Sequence, residues 1–161
     1  MIVRVLSDED QDRPRAGSGF LWPDADHVVT ALHVVAGDDQ VTVEYPFRDG
    51  RVEARSARVK RVLLLADLAL LSVENPVDRQ PGTTTDAVAG SVWVLGYPIG
   101  LPESWGRHLD VSQIAPSTLR VAIEDVDEPL FEQLGFPALD QPAVMLEGRI
   151  VPGDSGAAII N

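Results

Sequence analysis

Residues 149–161 read "RIVPGDSGAAIIN". Pro152, Gly153 and Gly156 interrupt any regular periodicity, so Gly153-Asp154-Ser155-Gly156 predicts a tight turn, and the apolar "AAII" behind it predicts a buried strand. A serine raised on a glycine-flanked turn is an ordinary loop serine in many proteins and a nucleophile in some. What separates the two is whether the rest of the chain supplies a base, a carboxylate to orient that base, and donors for a developing oxyanion.

Two residues elsewhere answer that description. His33 lies in "HVVTALHVVAG" (27–37), an apolar setting in which a lone histidine is more often a hydrogen-bonded core residue than a catalyst. Asp67 lies in "VLLLADLALLSV" (62–73), where a carboxylate faces a desolvation cost unless it is paired or stands at a turn between strands. Taken in the order His, Asp, Ser, the three have one common explanation. The imidazole takes the serine's proton, the carboxylate holds the imidazole in the right tautomer, and glycine-turn N–H groups face the oxyanion. Gly153 permits a backbone conformation that a side chain would block.

The remainder of the sequence constrains the setting. The chain has 161 residues, enough for one domain or two small lobes, and 45% of them are hydrophobic, which fits a globular protein rather than a disordered one. With 25 acidic and 13 basic residues the net charge is −12, which argues against nucleic-acid or anionic-membrane partners. The acidic runs "SDEDQD" (7–12) and "EDVDE" (124–128) lack the spacing of a calcium loop and read as solvated. The absence of cysteine excludes disulfides and thiol catalysis and is compatible with a reducing cytoplasm, the localisation expected here. The first twenty residues contain no apolar stretch of signal-peptide length, and no run is long enough to span a bilayer as a helix. Three isolated histidines do not form a zinc pattern, so no metal and no cofactor is expected; His27 and His108 are expected at the surface.

Short β-like segments separated by turn residues predict an all-β barrel or sandwich in two halves. Six strands are expected before residue 75, in "MIVRVL", "GSGFLW", "DHVVTALHVV", "QVTVEY", "RVEARSARVKRVLLL" and "DLALLSVE", with "ALHVVA" briefly helical. "NPVDRQPGTTTD" (75–86) reads as a linker, which divides the chain into a lobe at 1–75, a linker at 76–86 and a second lobe at 87–161. In the second lobe "SVWVLGYP", "LDVSQI", "TLRVAIED" and "PAVMLEGRIV" continue the β pattern, and "PLFEQLG" (129–135) suggests a helical turn.

The blocks "GSGFLW…HVVTALHVV", "ADLALLSV" and "PGDSGAAII" resemble, in family order, the three motif blocks of the trypsin-like serine peptidases, most closely their bacterial, disulfide-free branch. "VWVLGYPIG" is similar to the strand and turn found there between the aspartate and serine blocks. The resemblance covers residues 17–161. It implies two six-stranded Greek-key β-barrels of the chymotrypsin type, with the second incomplete because the chain stops six residues after the serine. An excised piece, a processed fragment, or one module of a longer polypeptide is then expected. It further implies His33 as general base, Asp67 as its orienting carboxylate, Ser155 as nucleophile, and the N–H groups of Gly153 and Ser155 as oxyanion hole. The implied activity is a serine endopeptidase acting on proteins or peptides, regulated by an attached domain or by the missing C-terminal segment. A peptide-binding or scaffolding module of the same fold is the alternative. Asp154 matches the aspartate that pairs with a new N-terminus in the animal digestive members, although no propeptide is visible, and Ala157 replaces the second glycine usual after the serine. Arg149 stands at the position that lies at the floor of the specificity pocket if the alignment has no gaps, where it would favour acidic side chains; otherwise it faces solvent. An esterase of the α/β-hydrolase kind is disfavoured, because the chain lacks a G-x-S-x-G elbow and orders its triad differently.

Overall fold

A computed structural model of the chain describes residues 1–7, 15–83, 91–98, 105–114, 143–147 and 151–160, the segments 105–114 and 143–147 by their backbone. These residues form ten strands: β1 (Ile2–Ser7), β2 (Arg15–Leu21), β3 (His27–Ala31), β4 (Gln40–Pro46), β5 (Val52–Leu63), β6 (Leu68–Val73), β7 (Ser91–Gly96), β8 (Trp105–Ile114), β9 (Ala143–Glu147) and β10 (Ala158–Ile160). One short helix, α1 (Leu32–Val35), follows β3, and a 3₁₀ turn (Leu64–Ala66) precedes β6. The six strands anticipated before residue 75 are all present, and α1 is the helical turn anticipated in "ALHVVA". "TLRVAIED" and "PLFEQLG" lie outside the described residues.

Strands β1 to β6 close into an antiparallel barrel in the order β1-β2-β3-β6-β5-β4. Alternation drives the closure. In β1, β4 and β6 every second residue is buried, placing Val3, Val5, Val41, Val43, Tyr45, Ala69 and Leu71 in one core while the intervening residues face outward. The register matches core to core and surface to surface: Val5 opposes Val43, and next to them outward-facing Arg4 opposes Glu44, with which it forms an ion pair at 3.1 Å. β5 is long enough to close the barrel by itself. Its first half pairs with β4 and its second half with β6, with a bulge between Val59 and Arg61 where the strand bends. The Tyr45 hydroxyl is buried with no hydrogen-bond partner among the described residues, and burial pushes its pKa up to about 12.

Among the described residues the second half forms a four-stranded antiparallel sheet in the order β10-β7-β8-β9. Val92 and Val94 of β7 are buried in it. The expectation of a buried final strand holds only for Ala158. Ile159 and Ile160 are 47% and 42% exposed, because β10 is an edge strand whose only partner among the described residues is β7.

Burial separates leucines that look equivalent in sequence. Leu71 is fully enclosed in the barrel, whereas Leu63 is 59% exposed at the strand end. Leu71→Ala should lower the unfolding free energy by about 2–5 kcal/mol. Leu63→Ala should change it by no more than about 0.5 kcal/mol. Urea denaturation followed by circular dichroism measures both.

Candidate active site

β3 lies beside β6 in the barrel, yet the next strand in sequence, β4, lies beside β1 and β5. The chain must therefore cross the end of the barrel between them, and α1, which carries His33, makes the start of that crossing. On the neighbouring strand, antiparallel pairing sets Ala31 opposite Leu68. Residues just past Ala31 and just before Leu68 thus meet at the same end. The ladder gains one more bond there, from the Leu32 N–H to the Asp67 carbonyl at 2.8 Å.

Asp67 then leaves the strand conformation. Its φ of 52° and ψ of 41° are left-handed, a region that aspartate enters more readily than most residues. Its N–H closes the 3₁₀ turn onto the Leu64 carbonyl at 3.1 Å. The carboxylate is left facing α1, where Oδ1 accepts the His33 backbone N–H at 2.9 Å and Oδ2 contacts the ring nitrogen Nδ1 at 2.5 Å. An ionised carboxylate only accepts hydrogen bonds, so Nδ1 carries the proton and Nε2 is the basic position of the ring. Both earlier readings of Asp67 therefore hold together: it is a turn aspartate between two strands and it is paired.

Ser155 occupies a double turn. The Asp154 N–H donates to the Val151 carbonyl at 3.2 Å, the Asp154 carboxylate accepts the Val151 N–H at 2.9 Å, and the Ala157 N–H donates to the Asp154 carbonyl at 2.7 Å. Gly153 and Gly156 take φ values of 97° and 78°, open to glycine and strained for other residues. Asp154 is buried beneath this loop and ties it together.

The turn is seated on β2. The Ser18 N–H donates to the Ser155 carbonyl and the Ser18 hydroxyl to the Gly153 carbonyl, both at 2.7 Å, while the Tyr97 N–H donates to the Ser18 hydroxyl at 2.7 Å. Thr30 braces the same residue by donating its hydroxyl to the Ser18 carbonyl at 2.7 Å. Two close approaches require glycine. A Cβ on Gly17 would lie 2.6 Å from Val34 of α1 and 3.0 Å from the Ser155 carbonyl oxygen, and a Cβ on Gly156 would lie 2.2 Å from the Ser18 carbonyl oxygen and 2.9 Å from the Ala31 nitrogen. The helix bearing His33 and the turn bearing Ser155 are thus packed onto the same stretch of β2.

Ser18, Thr30 and Tyr97 were not singled out as site residues from sequence. A signal was present in "GSG": Gly17, Ser18 and Gly19 are buried in succession, which breaks the strand alternation because the serine turn covers the outer face. His27 lies near the surface but is largely covered by its partners. Its side chain is only 15% exposed, with Nδ1 2.7 Å from Asp24 and Nε2 2.8 Å from Lys60, so it clasps the β2–β3 turn to β5. The hydrogen bond from His27 holds the Asp24 carboxyl below its usual range. His108 lies on β8 with its backbone paired to Trp93. Arg149 lies outside the described residues, as do most of the two acidic runs. Among the described residues, no three metal-ligating side chains gather.

Chemically, a carboxylate that holds both the backbone and Nδ1 of a histidine fixes the ring's orientation, an arrangement suited to a general base.

Residues 17–161 match the family model described as "Trypsin-like peptidase domain". No curated protein matches in sequence. Among solved structures, the chain is similar to the Rv3671c protease from M. tuberculosis in its inactive form, at 24% identity and a TM-score of 0.66, over 99% of this chain and 71% of that one. It is also similar to Deg5, at 21% identity and a TM-score of 0.69, covering 99% and 73%, and to an HtrA-type protease solved with a tripeptide, at 20% identity and a TM-score of 0.70, covering 99% and 46%. At these identities the likeness shows a shared fold, and the chain spans under half of the HtrA-type protein.

Ser18→Ala should leave the buried Gly153 carbonyl and Tyr97 N–H without this partner and cost about 1–3 kcal/mol in urea denaturation. Asp24, whose pKa is lowered from 3.8, contributes stability that is complete above that value and fades as pH falls through the lower folded one. Asp24→Asn should therefore flatten the stability profile on the acid side and leave its shape near neutrality unchanged.

Proposed function

The chain belongs to the trypsin-like peptidases, and from that premise we propose that it is a serine endopeptidase in which His33, Asp67 and Ser155 form the catalytic triad. The observation that carries this reading is the double hold of Asp67 on His33, one oxygen on the backbone N–H and the other on Nδ1. A carboxylate needed only to cap a turn has no use for the ring contact. A carboxylate that must set a tautomer and stabilise an imidazolium needs it.

The proposed reaction moves one proton through one ring nitrogen. His33 Nε2 takes the Ser155 hydroxyl proton as Oγ attacks the scissile carbonyl carbon. The C=O electrons move onto oxygen, and the backbone N–H groups of Gly153 and Ser155 stabilise that oxyanion. On collapse, the imidazolium gives its proton to the leaving amine and the C–N bond breaks, leaving an acyl ester on Ser155. Water, deprotonated by the same Nε2, then attacks the ester; the acid leaves and the hydroxyl is restored. Asp67 keeps its charge throughout. No cofactor or metal enters the scheme.

The substrates proposed are proteins or peptides, in keeping with the protease neighbours, and regulation by a further domain or segment is in keeping with the greater length of those neighbours. A cytoplasmic, bacterial setting rests on the cysteine-free composition and on the motif resemblance. A preference for acidic residues before the cut rests on Arg149 alone, and Arg149→Ala should abolish it.

A fluorophosphonate probe should label Ser155. Labelling should disappear in Ser155→Ala and fall by about 10⁴-fold or more in His33→Ala, with Asp67→Asn losing about 10⁴-fold. Mass spectrometry of the labelled peptide gives the site. Unchanged labelling in His33→Ala would overturn the triad, and labelling without cleavage of any peptide would favour the peptide-binding alternative.

A further inference from the structure

The β4–β5 hairpin lies at the end of the barrel opposite His33 and Asp67, since β4 runs away from that end and β5 returns to it. There, an open groove of ≈ 480 Å³ is lined by Met1, Pro46, Phe47, Arg48, Asp49 and Arg79 among others, a size within the roughly 300–1,000 Å³ of ligand clefts. The Phe47 ring is part of this lining. The guanidinium carbons of Arg51 and Arg79 lie 4.9 and 4.7 Å from the ring centroid, so two cations are held against one aromatic residue.

The charges around it are unequally satisfied. Asp49 is committed to Arg51, accepting its Nε at 2.7 Å and its backbone N–H at 3.1 Å, and Glu53 pairs with Arg55 at 2.5 Å. Arg48 and Arg79 have no carboxylate partner among the described residues. That is notable in a chain with 25 acidic and 13 basic residues, where carboxylates are in excess. Two guanidiniums without a carboxylate partner among the described residues, lining an apolar groove together with an aromatic ring, select an occupant with one carboxylate and an apolar body. The net charge of −12 disfavours a polyanion such as nucleic acid, and the apolar lining disfavours a bare inorganic anion.

We propose that this groove binds the C-terminal end of a polypeptide, its terminal carboxylate on Arg48 and Arg79 and its apolar last side chain against Phe47, Pro46 and Met1. An open groove admits the end of an extended chain, and a free C-terminus offers the carboxylate and the side chain within one residue. Peptide-bond hydrolysis is one source of such ends, but the binding argument does not require it. The site is separate from Ser155 and is able to hold a chain end while that site is empty or occupied.

The test is a titration of the ¹⁵N-labelled protein with acetyl-Ala-Val-Leu as the free acid and as its C-terminal amide. The acid should shift the amide signals of Phe47–Arg51 and Arg79 saturably, and the amide form should bind about tenfold more weakly or less. The Arg48→Ala/Arg79→Ala double variant should lose about tenfold in affinity for the acid while keeping the wild-type melting temperature, since both side chains are exposed. Arg79→Lys keeps the charge and loses the fork, and should fall between. Equal binding of acid and amide, shifts centred on residues 31–33 and 151–157, sodium acetate competing as well as the peptide, or no saturable shift at millimolar peptide would each overturn the proposal.

Discussion

The pairing of Ala31 with Leu68 is the constraint on which the site depends. Side chains alternate across a strand, so slipping β6 by one residue against β3 would turn Ala69, Leu71 and Val73 out of the core and carry Asp67 away from α1. The apolar core therefore enforces the position of a polar contact it does not touch. Asp67 completes the arrangement by entering the left-handed region at the point where the strand begins. Because the Leu32 N–H and the His33 N–H are both satisfied by Asp67, the first turn of α1 is held by the residue that also holds the imidazole.

A buried serine ties the second half of the molecule to the barrel beside the site. Ser18 joins β2 to the Gly153 and Ser155 carbonyls and to the Tyr97 N–H, so a single side chain and its own peptide fasten the serine turn, the end of β7 and the barrel together. Polar groups in such a position stabilise only when every one of them is used, and here the hydroxyl both donates and accepts. The glycines around it act by omission, since Gly17 and Gly156 leave room for carbonyl oxygens and backbone nitrogen that a Cβ would displace. The chemistry proposed for Ser155 thus depends on the packing of residues that take no part in it.

Charge is distributed with similar economy. Among the described residues most basic groups on the barrel have carboxylate partners, as in Arg4–Glu44, Arg15–Asp38 and Arg58–Glu74, and an exposed pair such as Arg58–Glu74 contributes little. The Asp24–His27–Lys60 chain links a turn to the bulged region of β5. Against that background Arg79 differs, because its contact is with the face of Phe47 and, among the described residues, with no acid. The barrel thus carries two polar ends of different character, one organised around an imidazole and the other around guanidinium groups.

Read alone, the sequence determined the strand content of the first lobe, the short helix at "ALHVVA", the family, and the three side chains proposed for catalysis. Each of these rests on local information: alternation, turn residues and short ordered motifs. It did not determine that Ser18 would be the fastening point, that His27 would be partly buried, that Ile159 and Ile160 would lie at an exposed edge, or that Arg48 and Arg79 would flank Phe47. Those facts depend on which strands become neighbours and which faces become covered. Residues 18 and 155, or 47 and 79, carry no mark of their proximity until the barrel closes and brings distant backbone into contact, and only the tertiary structure decides that.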